Sequence, residues 1–87
     1  MEKHTIQDVF LFDDTIYNNI RFGRPDATEM EILDAAEKAR VLDFALELRE
    51  GVNTPIGEGG YRLSLGEKRR IGIARALLKD KTVIAID

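Results

Sequence analysis

Apolar residues along the chain fall into short runs whose spacing changes from one run to the next, with polar turn residues between them. In "TIQDVFLFDD" (5–14) β-branched and aromatic residues mix with polar ones, which predicts a short strand edge leading into an ordered loop. Over "TIYNNIRF" (15–22) a short helix is expected, capped by Asp14 or Thr15, ended by Gly23 and followed by a turn at Pro25. Thr28 and Glu31 stand at capping-box spacing, where the hydroxyl accepts from a first-turn amide and the carboxylate from the cap amide. Behind that start, Ile32, Ala35, Ala36 and Ala39 form one apolar stripe, and Val41, Phe44, Ala45 and Leu48 form another before Gly51. Two linked helices, or one long helix bent near Arg40, would satisfy this pattern.

From Gly51 to Gly60 the pattern breaks, because "GVNTPIGEGG" supplies four glycines and a proline and so predicts an exposed loop of turns. Helical spacing returns in "LSLGEKRRIGIARALL" (63–78), where Ser64 and Glu67 repeat the capping box. Ile71, Ala74, Leu77 and Leu78 make its buried stripe, with Lys68, Arg69, Arg70 and Arg75 expected over the rest of the helix surface. Lys79 suits the negative end of the helix dipole and is the expected stop. The closing run "TVIAID" (82–87) reads as a buried parallel strand with a carboxylate at its C-terminal end.

Composition narrows the picture. At 87 residues and 44% hydrophobic, the chain supports one core, as a small domain or as part of a larger one. A net charge of −3 drawn from mixed signs sets up no global field for nucleic acid or an acidic membrane, so any basic patch is local. The absence of cysteine excludes a disulfide framework and thiolate metal ligation and suits a reducing, intracellular setting. No apolar stretch approaches the roughly 20 residues of a membrane-spanning helix, and "MEKHTIQDVF" lacks the apolar run of a signal peptide. A soluble chain is therefore expected.

Candidate chemistry centres on Ser64. A helix N-terminus presents unpaired amides and the positive end of the dipole, and a serine hydroxyl beside a glycine that admits close backbone approach makes it an anion site, phosphate above all. The same residues also describe an ordinary capped helix with a solvated basic face, and spacing alone leaves both readings open.

The order of motifs resembles the nucleotide-binding domain of ATP-binding cassette (ABC) transporters, specifically the exporter type, over nearly the whole chain. "LSLGEKRRIGIARALL" is similar to the family signature, Leu-Ser-Gly-Gly-Gln followed by a basic pair and Ile-Ala-Ile-Ala-Arg-Ala-Leu. "TPIGEGG" resembles the exporter loop Thr-x-Val-Gly-Glu-x-Gly, and "IQDVFLFDDTIYNNIRFG" resembles the Q-loop with its following helix. The resemblance implies a mostly α-helical subdomain with short flanking β-strands, a fragment of an α/β P-loop NTPase domain. It divides residues 1–87 into strand and Q-loop (1–14), helical subdomain (15–50), exporter X-loop (51–62), signature motif and helix (63–79) and Walker B strand (82–87).

By the same resemblance Gln7 is the Q-loop glutamine, and Ser64, Leu65, Gly66 and Glu67 form the signature, which contacts the γ-phosphate of ATP held by an opposite subunit. Thr54, Gly57, Glu58 and Gly60 belong to the loop that touches the coupling helices of a membrane domain. Asp87 is the Walker B aspartate, a ligand of Mg2+ with a buried strand behind it. The implied cofactors are ATP and Mg2+, bound by the full protein rather than tightly by this chain. The implied partners are a second nucleotide-binding domain and a transmembrane domain, at the cytoplasmic face of a membrane. Terminal strands without sheet neighbours also imply possible self-association through their edges.

Two residues depart from the pattern: Leu65 stands where the signature has glycine, and Glu67 where it has glutamine. The phosphate-cradling Gly-x-x-x-x-Gly-Lys-Ser/Thr is not present in the sequence, nor is a Gly-Lys pair. Phosphoryl transfer needs the cradle, the metal and an oriented water together, so this chain alone is expected not to hydrolyse ATP. The competing classes are a stand-alone helical interaction module that docks through residues 51–60 and, ranked last, a nucleic-acid binder using Lys68, Arg69 and Arg70 without aromatic partners.

Overall fold

The computed structural model describes residues 9–80. Among the described residues four α-helices follow one another: α1 (Ile16–Arg21), α2 (Glu29–Lys38), α3 (Val41–Ala45) and α4 (Leu65–Lys79). Two 3-10 turns, Gly51–Asn53 and Glu58–Gly60, lie in the connection between α3 and α4. Among the described residues there is no strand. Segment 9–14 is irregular, and an isolated bridge pairs Thr15 with Pro55. The described part of 5–14 is the loop expected there, its Phe12 amide and carbonyl held by the Asn19 side chain. Residues 5–8 and the strand expected over 82–87 lie outside the described residues. So do the sheet edges on which self-association was to rest.

The caps form as the spacing requires. Thr15 is the N-cap of α1, its hydroxyl accepting from the Asn18 amide at 3.0 Å, while Asp14 supports the cap from outside by accepting from the Thr15 amide at 2.7 Å. Thr28 and Glu31 close a complete capping box on α2, with bonds of 2.9 and 3.1 Å. α2 and α3 are separate helices because Arg40 turns the chain with φ 67°, a left-handed conformation that breaks the amide ladder between the two apolar stripes.

The longest helix, α4, packs against α1, α2 and α3 together. Its Ile71, Ala74 and Leu78 are fully buried against Ile16, Ile20, Ile32, Ala35, Ala36, Val41 and Ala45. Removal from water stabilises each such isoleucine or leucine by about 1.5–3 kcal/mol. Leu77, Phe44 and Leu48 stand at the margin of this core, half-buried, where full burial of Leu77 was expected.

The connection over 51–60 is less exposed than its composition implies. Ile56 reaches the core, and its amide donates to Asp14 O at 3.0 Å, while the Ile16 amide donates to Thr54 O at 3.1 Å. The loop is thereby laid along the start of α1. Among the described residues no helix is long and apolar enough to cross a membrane.

Candidate functional site

Ser64 is the N-cap of α4, with extended backbone, φ −72° and ψ 165°. Its hydroxyl accepts from the Glu67 amide at 3.1 Å, and the Glu67 carboxylate accepts from the Ser64 amide at 3.0 Å. Glu67 is therefore folded back on the cap. The Leu65 and Gly66 amides, the first two of the helix, have no intrahelical acceptor, as the geometry of a helix start demands. A side chain built on Gly66 would meet nothing within 4 Å, and Leu65 is 55% exposed. The structure thus presents an open helix start with free amides, flanked on one side by an apolar side chain.

The loop feeding this helix is shaped by its glycines. Gly57 has φ 83° and Gly60 φ 75°, and a Cβ at either would collide, with the Tyr61 ring at 2.3 Å or with Leu11 Cδ1 at 2.7 Å. Both positions demand glycine. Thr54 is half-buried, its hydroxyl donating to Gly51 O at 2.7 Å within the same turn. Glu58, by contrast, is exposed and shares with Val9, Phe10, Phe12 and Asp13 a groove of about 660 Å³. Folding so brings the exporter-like loop beside the segment that follows Gln7, some 45 residues earlier in the chain. Gln7 itself and Asp87 lie outside the described residues.

Arg75 corrects the expectation of a solvated basic face. It is half-buried, and its guanidinium donates from Nε to Asn19 O at 3.0 Å, from Nη1 to Phe10 O at 2.8 Å and from Nη2 to Asn19 Oδ1 at 3.4 Å. It also lies 5.2 Å from the centre of the Phe22 ring and 5.9 Å from that of Phe12. Burial pulls its pKa below the ordinary guanidinium value, which leaves it a cation. Asn19 completes the junction: its Oδ1 accepts from the Phe12 amide at 2.8 Å, and its Nδ2 donates to Thr15 O at 2.8 Å and Phe12 O at 3.2 Å. Asn19 was not singled out in the sequence, and Arg75 was expected on the helix surface. The available signal was position, since Asn19 falls between Ile16 and Ile20 on the apolar face of α1 and Arg75 four residues beyond Ile71.

A capped helix entered from a glycine-shaped loop and packed on a small helical subdomain is the arrangement of an ABC nucleotide-binding domain, and the chain belongs to that family: the ABC transporter profile matches residues 3–87. It is similar to ATP-dependent lipid A-core flippase 1 of Colwellia psychrerythraea (strain 34H), 49% identical over 85 residues, covering 98% of this chain and 14% of that protein. The ATP-dependent lipid A-core flippase of Francisella tularensis subsp. holarctica (strain OSU18) is 50% identical over 82 residues, 93% of this chain and 14% of that protein. Among solved structures, that of a bacterial Atm1-family ABC exporter with ATP bound superposes with a TM-score of 0.80 at 47% identity, over 85% of this chain and 13% of that one. The chain is thus a nucleotide-binding-domain segment of exporter type, spanning about one seventh of the length of these relatives.

The described residues fit ATP in part. The open start of α4 offers free amides and a hydroxyl to a phosphate. Among the described residues no group of three or more His, Asp or Glu side chains is arranged to hold a metal ion.

Proposed function

We propose that this chain forms part of the ATP-binding and ATP-hydrolysing domain of an exporter, and that Ser64, Leu65 and Gly66 contact the terminal phosphate of ATP held by an opposing domain. The observation that carries this reading is the open, Ser64-capped N-terminus of α4. Glu67, folded onto the cap amide, keeps its carboxylate from pointing at the phosphate. Gln7 and Asp87 serve the magnesium and nucleotide side of the same chemistry, and the partners are a second nucleotide-binding domain and a transmembrane domain. The relatives' names support a lipid A-core glycolipid as cargo.

Alone, the chain binds nucleotide weakly and does not hydrolyse it, because the phosphate cradle is not in its sequence. The test is an amide NMR titration of the chain with magnesium and ATP, alongside a hydrolysis assay. Saturable shifts confined to residues 64–66, lost in Ser64→Ala, with no magnesium-dependent turnover, are expected. Shifts centred elsewhere would overturn the phosphate assignment, and turnover that survived purification would overturn the prediction of inactivity.

A second reading, docking on a membrane-domain partner through residues 51–60, is favoured by the groove that exposed Glu58 shares with Phe10 and Phe12. Capture on coupling-helix peptides that falls in Glu58→Ala would support it, and unchanged capture would count against it.

A further inference from the structure

We infer that Arg75 is a positioning residue that fixes the segment Val9–Phe12 and its exposed aromatic face in register with α4, so that the face moves with the helix whose other end carries Ser64. This rests on the reading of α4 as the signature helix only for its use; the mechanical link stands on geometry alone.

Three sets of contacts tie α4 to that segment and to α1. Val9 packs over Gly72, where an added Cβ would lie 2.4 Å from Val9 Cγ2. Gly23, just past α1, lets the chain pass so close that an added Cβ would be 2.4 Å from Arg75 O. Between them, the Arg75 guanidinium serves oxygens on both partners at once, Phe10 O on the segment and Asn19 O on α1. Its two neighbouring rings, Phe12 and Phe22, touch each other edge to face at 4.5 Å, and Phe12 touches Phe10 at 4.8 Å.

Phe10 and Phe22 are 66% and 54% exposed, so burial does little to hold them. Leu11 anchors the segment in the core and Asn19 holds both the amide and the carbonyl of Phe12; the Arg75 cation adds the bond to Phe10 O and the contacts with the Phe12 and Phe22 rings that join the aromatic face to α4. The task needs an arginine. Its planar fork aims donors in two directions while its flat face lies against rings, whereas a lysine ammonium is a compact point charge that cannot do both. An α-helix is stiff over its length, so a displacement at Ser64 reaches Arg75 about 16 Å away at 1.5 Å per residue.

The test is amide hydrogen exchange on the whole chain, comparing wild type with Arg75→Lys, Arg75→Met and the control Arg70→Lys. In both Arg75 variants, the Phe12 amide and the amides at the C-terminal end of α1 should exchange faster by on the order of tenfold, while those of Ile32 to Ala36 in α2 hold their rates. Arg70→Lys should leave both regions alone. A uniform acceleration, or loss of the fold in both Arg75 variants, would make Arg75 a stability residue and overturn the proposal. Unchanged exchange at Phe12, or full rescue by lysine, would overturn it equally. None of these outcomes depends on nucleotide, so the result is independent of the ATP reading.

Discussion

Gly23 and Gly66 show how differently one residue type can be constrained. At Gly23 a methyl group would press on the carbonyl oxygen of Arg75, which is backbone and cannot step aside. Gly23→Ala should therefore destabilise the chain by about 1–3 kcal/mol, read as a lower urea midpoint. At Gly66 there is open space and helical geometry, so folding has no use for glycine there. Gly66→Ala should stabilise the chain by about 0.5–1 kcal/mol. In the proposed complex it should weaken ATP contact, since the methyl would occupy the approach to the free amides. A Gly66→Ala variant that is less stable than wild type would show that packing, not ligand access, keeps the glycine. Asn19 belongs at this scale too. A fully buried polar side chain, it has all its hydrogen-bonding atoms engaged, which removes the cost of its burial.

Among the elements, both capping boxes were legible in the sequence because a cap is a local contract between residues three apart. The α2 box has a pH signature. The Thr28 amide, first, and the Arg24 guanidinium hold the Glu31 carboxyl below the ordinary glutamate value of 4.5. A folded pKa below the unfolded one stabilises the chain above the unfolded value, and that contribution fades as the pH falls through the folded one. The stability gap between wild type and Glu31→Gln should accordingly be widest above pH 4.5 and close in more acidic solution. A gap that stays constant through acid titration would refute the assignment. The long connection over 51–60 was less legible. Its glycines announced turns, but the bonds that hold it, from Ile56 to Asp14 and from Ile16 to Thr54, join residues about 40 apart.

For the molecule as a whole, α4 is the element on which the other three helices converge. Ile71→Ala, at its buried face, should cost about 2–5 kcal/mol, and Met30→Ala, on the outer face of α2, should stay within about 0.5 kcal/mol. Cooperative thermal unfolding monitored in both variants checks the pair. Comparable losses at the two positions would mean that the core is not centred on α4.

The amino-acid sequence by itself determined the helical runs, the capping boxes of α2 and α4 and the order of motifs that marks the family, because each of these is encoded in residues within a few positions of one another; that Thr15 rather than Asp14 caps α1, and that Arg40 separates two helices rather than bending one, came from the structure. Only the tertiary structure decided that Arg75 turns inward onto Asn19 and Phe10, that Ile56 is buried, and that Glu58 stands beside the aromatic segment. Those outcomes depend on which surfaces meet once α4 lies across the other helices. A guanidinium at the edge of an apolar stripe can face water or a carbonyl, and the choice is made by partners 56 and 65 residues away.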